Sequence, residues 1–276
     1  MNIRLIAADL DGTLLNSHSA LSDFTLAVLR QAAAQGIRLV AATGRALHTI
    51  PACVKESGCF DYAIASNGAM IYDCRRQSCL KRYVVPQASA EALAAYALRH
   101  RLGLELFSGG NAYGERYYFE HPEDFGFDKR SIDYLFSTRT KIEDLQSFLA
   151  QHAGQLESVD FVLKDPAQKA AIEAAFCSDT SLYITSSHPR IIEFNAAGCS
   201  KAAAVRYLLA REGLPPEALA AFGNGENDVE MVTGAALGAF TANSPQAVLE
   251  QAQAVCDSCD ADGVAKYLLE KGIVHL

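Results

Sequence analysis

Short apolar runs alternate with longer mixed stretches over the first part of the chain. "IRLIAA" (Ile3 to Ala8), "IRLVAAT" and "YAIASNG" read as buried strands. Between the first two lies "LSDFTLAVLRQAAAQG", which reads as a helix with Ser22 as its N-cap and Gly36 past its end. A second helical stretch is expected from Ala46 towards Ser57. Strands separated by helices imply parallel pairing through right-handed crossovers, with helices on the sheet faces. The expected fold class is therefore α/β, with a Rossmann-like parallel sheet.

The rhythm then changes. "AMIYDCRRQSCLKRYVVP" alternates around a polar centre, as a hairpin does. Two clear helices follow, near Ala88 to Arg101 and from Ile142 to His152. Half-polar strands accompany them, with "SGGNAYGERYYFE" as a glycine-rich, aromatic loop leading into a strand. "ESVDFVLKD", the helical "PAQKAAIEAAF" and "SLYITSS" complete an α+β block. After "PRIIEFNAAGCSK" the α/β alternation returns, through a helix over Lys201 to Glu212, "ALAAFGNG", "AALGAF", "AVC" and a last helix from Gly263. This order implies a discontinuous α/β domain, 1–84 and 188–276, with an α+β domain inserted at 85–187.

Composition narrows the class. Half of the 276 residues are hydrophobic, enough for a substantial core, and the formal net charge of −8 argues against a nucleic-acid face. Arg4 and Asp9 interrupt the first apolar run too early for a secretory segment, and no run reaches membrane-span length. With no export signal, the eight cysteines read as reduced thiols and the expected compartment is the cytoplasm. "CDSC" (Cys256 to Cys259) has redox or zinc spacing, but no second pair completes a metal site. The oligomeric state is left open.

Active sites of open parallel sheets lie beyond the carboxyl ends of the strands. Four such ends carry polar residues here: Asp9 and Asp11, "TGR" (Thr43 to Arg45), "SNG" (Ser66 to Gly68) and "GNGEND" (Gly223 to Asp228). Asp9 and Asp11 at positions i and i+2 share a face if the strand continues through them. Carboxylates that close repel each other unless a proton or cation intervenes, and an all-oxygen site open towards phosphate suits Mg2+. Gly12 permits close backbone approach to an anion, Thr43 offers a hydroxyl, and Lys201 supplies a positive charge. Each piece alone reads as a turn or a solvated side chain; all of them together at strand and helix ends point to one site.

These motifs resemble the haloacid dehalogenase-like (HAD) superfamily. "DLDGTLL" is similar to its first motif, "ATGR" to its second, Lys201 in "GCSKAAAVRYLL" to its third and "GNGENDVEM" to its fourth. The long insertion between the second and third motifs, entered through "ASNGAMIYD", resembles the large cap of the Cof-like phosphatases. The resemblance implies a HAD core whose cap governs substrate access, and Mg2+-dependent hydrolysis of small phosphate monoesters, sugar phosphates among them. Asp9 would be the nucleophile that forms an aspartyl-phosphate, and Asp11 the general acid and then base. Leu10, Thr43, Gly44, Lys201 and Asn227 would bind the phosphoryl group. Asp9, Asp11 through its backbone carbonyl, Asn224 and Asp228 would hold Mg2+.

Substrate candidates are Arg45 and Asn195, the latter placed in the return linker, while Tyr113, Tyr117 and Tyr118 read at least equally as core. Asn224 departs from the usual acid of the fourth motif, and Ala202 stands where a glycine is common. The second acid, Asp11, argues against dehalogenation. A phosphomutase and a non-catalytic sugar-phosphate sensor are the alternatives on the same fold.

Overall fold

The computed structural model describes residues 2–276. The chain opens with β1 (Leu5–Ala8), buried at every position, and α1 (Asp23–Ala34). The Ser22 side chain accepts from the Thr25 amide, satisfying one of the helix's open donors. Thr25, Val28, Leu29 and Ala32, three or four residues apart, form its buried face. β2 (Arg38–Ala42) follows. The helix expected from Ala46 is broken into a 3-10 turn (Leu47–Thr49) and α2 (Ala52–Lys55). Pro51 explains the break, because the residue before a proline is driven out of the helical region. β3 (Tyr62–Ala65), β4 (Met70–Asp73) and β5 (Ser78–Arg82) complete this first run, the last two as the expected hairpin.

The middle of the chain forms α3 (Gln87–His100), β6 (Gly103–Ser108), β7 (Asn111–Glu115), α4 (Arg116–Glu120) and α5 (Lys129–Thr138). Then come β8 (Arg139–Ile142), α6 (Leu145–Gln151), β9 (Leu156–Val162), α7 (Lys169–Phe176), β10 (Leu182–Thr185) and β11 (Ile191–Ala196). Two expectations are corrected here. Gly109 and Gly110 form the turn of the β6–β7 hairpin, and "RYYFE" is helical rather than strand, with the Glu115 side chain capping it. Ile142 ends a strand, and Asp144 caps the helix that follows.

The return leg holds α8 (Lys201–Glu212), β12 (Leu219–Gly223), α9 (Val229–Thr233), β13 (Leu237–Thr241), α10 (Gln246–Leu249), β14 (Val255–Cys256) and α11 (Gly263–Glu270).

Two sheets result. The first has the order β14-β13-β12-β1-β2-β3-β4-β5, parallel from β14 to β3 and antiparallel at β3–β4. The second has the order β10-β11-β9-β6-β7-β8 and is antiparallel except at β7–β8. Contacts divide the chain into two compact units, one from the N-terminus to Gly44 with Ile50–Lys81 and Ser200–Leu276, the other of Arg45–Thr49 and Arg82–Cys199. The second unit thus runs on beyond the expected end at 187, because β11 pairs with β9 and β10.

In the first unit, Leu5, Val40, Ile64 and Ala221 of the strands pack with Val205 and Leu208 of α8. In the second, Leu104, Leu106, Val159, Phe161, Ile192 and Phe194 line the face that packs with Leu93, Ala94 and Ala97 of α3. Tyr118 is core, in a cluster with Phe125 and Leu135, while Tyr113 and Tyr117 are partly buried. Among the described residues no helix is long and apolar enough to cross a membrane.

Candidate active site

The order β12-β1-β2-β3 sets side by side the four strands whose ends carry the polar motifs. Their registers are level: Ala8 pairs with both Phe222 and Ala41, and Ala42 with Ile64. From β1 the chain steps one way through β2 and β3, and later the other way through β12, β13 and β14. Asp9 and Gly223 therefore flank the switch point, where such sheets bind ligands.

Asp9 is buried, and its Oδ1 accepts from Lys201 Nζ at 2.7 Å. The same ammonium donates to Asp228 Oδ1 at 2.7 Å, so one buried cation joins β1 to the loop after β12. Lys201 is the first residue of α8, whose N-cap Ser200 accepts from the Ala203 amide. Asp228 Oδ2 in turn accepts the backbone amides of Asn224 and Gly225, both at 2.9 Å, which fixes the loop. On the other side of Asp9, Thr13 Oγ1 lies 3.1 Å from Asp9 Oδ2 and 3.3 Å from Asn224 Oδ1. Gly12 lies beside it at φ +79°, a left-handed conformation that favours glycine, and a Cβ there would press on the Asn224 side-chain amide. Asp11 is exposed.

Burial pushes the Asp9 carboxyl up from 3.8 to about 7, opposed by Lys201 and reinforced by Asp228 and Asp11. For Lys201 burial acts to lower the pKa, but the carboxylates of Asp228 and Asp9 outweigh it and hold it above its ordinary value.

Asn227 and Asn67 close the site from β3. Asn227 Nδ2 donates to Asn67 Oδ1 at 2.9 Å. Ser66, Asn67 and Gly68 all have positive φ, a sequence of left-handed residues that costs on the order of 1–3 kcal/mol for each non-glycine. Gly68 is obligatory, since its Cβ would meet Ser200 O at 2.4 Å. The turn thereby sets the start of α8 close against the end of β3. Thr43 is buried, its amide on Ile64 O and its carbonyl on the Asn67 amide. The structure so brings Asp9, Asn224, Asp228 and Lys201 into one bonded set, with Asn227 tied to Asn67 and with Leu10, Asp11, Thr43 and Gly44 on the adjoining strand ends.

A family profile described as haloacid dehalogenase-like hydrolase matches residues 6–268. The chain belongs to the haloacid dehalogenase-like hydrolases. It is 28% identical over 268 residues to the 5-amino-6-(5-phospho-D-ribitylamino)uracil phosphatase YcsE of Bacillus subtilis (strain 168), covering 96% of this chain and 94% of that one. Phosphatase YwpJ of the same organism is 28% identical over 290 residues, covering 97% and 100%. A solved structure of a haloacid dehalogenase-like hydrolase from B. subtilis matches with a TM-score of 0.85 at 25% identity, covering 97% of this chain and 99% of that one. The protein is a phosphatase of this superfamily.

Of two further residues in this hydrolase's site, Thr13 was given no role from sequence, and Asn67 was placed there only as part of "SNG". Thr13 joins Asp9 to Asn224, and Asn67 holds Asn227; the signal for Asn67 was its place between a serine and a glycine at a strand end. Arg45 and Asn195 belong to the second unit. Arg45 donates to Tyr134 Oη at 2.6 Å and lies 4.7 Å from that ring's centre. Asn195 is fully buried inside β11, not in a linker, and donates to Glu157 O at 3.0 Å. Burial pushes the Cys256 thiol up to about 12 and raises Cys259, so "CDSC" holds no ready thiolate.

The residues around Asp9 fit a magnesium ion. Asp9 Oδ2 and Asn224 Oδ1 converge on one hydroxyl, and both are hard oxygen donors. Asp9, Asp11 and Asp228 outnumber the single ammonium of Lys201; burial above all raises the Asp9 carboxyl, and the two neighbouring acids add to it. Among the described residues no three His, Cys, Asp or Glu side chains cluster as a metal cage.

Proposed function

We propose that this phosphatase hydrolyses small phosphate monoesters of the sugar-phosphate type, in a Mg2+-dependent reaction in which Asp9 carries the phosphoryl group. The observation that carries the reading is the buried Lys201 ammonium, bonded at once to Asp9 and Asp228 at the switch point. It orients the Asp9 carboxylate and opposes the burial that would keep it protonated. Asp9 then attacks phosphorus, and the phosphate–ester oxygen bond breaks as an aspartyl-phosphate forms. Asp11, exposed beside it, gives its proton to the departing alkoxide and takes one from the water that cleaves the intermediate.

Leu10, Thr43, Gly44, Lys201 and Asn227 position the transferring group, the main source of catalysis in phosphoryl transfer. Asp9, the Asp11 carbonyl and Asn224 would hold Mg2+, which when bound offsets the charge between carboxylate and phosphate. Both oxygens of Asp228 already serve Lys201 and the loop amides, so this acid supports the ligands from behind.

Small metabolites as substrates follow from the relatives: one is named for a phosphorylated ribitylaminouracil. Control of access is assigned to the second unit. Acid-quenched Asp11→Asn enzyme, exposed to substrate and digested, tests the covalent step. A phosphoryl group on the Asp9 peptide is expected; an unmodified peptide under turnover conditions would mean direct attack by water.

A further inference from the structure

We infer that the first unit carries a second anion site, at the end of its sheet away from Asp9, that accepts a small phosphorylated metabolite. A cleft of about 490 Å³ opens where β2 and β3 begin. That is within the usual range for small-molecule sites. Arg38 and Tyr62 are the first residues of those strands, whereas Thr43 and Ser66 follow their far ends. A five-residue strand separates the two sites by roughly 15 Å at about 3.3 Å per residue.

The cleft is built from charge. Four arginines (38, 75, 76 and 211) line it against three acids, in a chain whose net charge is −8. The acids form the frame. Buried Asp61 accepts from the Leu39 amide and from Arg38 Nη1, both at 3.0 Å, and from Arg75 Nη2 at 2.7 Å. Glu212 takes Arg38 Nε at 3.0 Å and the Tyr62 hydroxyl. Arg38 is thus neutralised on two sides. Asp73 Oδ1 accepts the amides of Arg75 and Arg76, which fixes the β4–β5 turn with two consecutive arginines on it.

The remaining guanidiniums are poorly compensated. Arg76 is 3.9 Å from Asp73 Oδ2, and Arg211, in the last turn of α8, is met by the Tyr62 and Tyr207 hydroxyls. Guanidinium forks converging from a turn and a helix end suit the oxygens of a phosphoryl group, which they bind in pairs. A ligand there would tie the β4–β5 hairpin to α8, the helix that begins with Lys201.

The test titrates pyrophosphate calorimetrically into the full-length, metal-free protein and into Arg75→Ser/Arg76→Ser. The double variant is expected to bind about tenfold more weakly or worse, while its metal-supported turnover of an aryl phosphate equals wild type. Arg211→Gln, on a different element, should repeat the loss. Affinity unchanged in both variants, or no binding by the wild type, would overturn the site.

Discussion

Asp9 holds a charge that its surroundings resist. Its pKa is 3.8 in the free side chain and about 7 in the fold. Between those values the folded chain keeps a proton that the unfolded chain has released, so stability falls as pH rises through that window. Asp9→Asn removes the slope. Without metal, the variant is expected to melt above wild type at pH 8 and with no such gain at pH 4, in parallel thermal scans. Asn224 sits on the other side of Thr13. Asn224→Asp adds a formal charge to the donor set and should tighten Mg2+ on the order of tenfold in a metal titration. Unchanged or weaker binding would remove Asn224 from the ion.

At this scale the sequence was legible as placement, since Asp9, Asp228 and Lys201, picked out by residue type, meet as bonded groups. Asn67 was harder, because its left-handed backbone and its bond to Asn227 exist only once β3 and β12 are placed.

Elements follow from local sequence wherever one force dominates. α8 begins at Lys201 because Ser200 caps it, and the buried runs became strands. The sequence misled where a turn decided the outcome. Pro51 splits a helix, and Gly109 with Gly110 turns a supposed loop into a hairpin. The left-handed turn over Ser66 to Gly68 matters most, because it abuts the start of α8. Gly68→Ala should cost on the order of 2 kcal/mol, from backbone strain and the clash with Ser200 O. It should also lower kcat/KM by shifting Lys201. Calorimetry with kinetics checks both, and a variant that melts lower with unchanged kinetics would detach this turn from the site.

For the whole molecule, the change from α/β rhythm to half-polar strands located the inserted unit. Its C-terminal end was missed because "IIEFNA" reads as a buried strand whichever sheet it joins, and pairing with β9 is a tertiary choice. The charge deficit around Asp9 has a global readout. Mg2+ should raise the melting temperature of the intact chain, since a ligand bound only by the folded state adds about 2.7 kcal/mol at 100 times its Kd. The rise should be larger at pH 8 than at pH 6, where a proton on Asp9 competes with the metal.

Phosphate release from an aryl phosphate, measured with Mg2+ and with chelator for wild type and Asp9→Asn, brings these scales together. Metal-dependent release by the wild type, and loss of it in a variant that still melts cooperatively, is the expected result. Release that persists in Asp9→Asn, or that proceeds equally with chelator, would contradict the assignment of Asp9 and its metal.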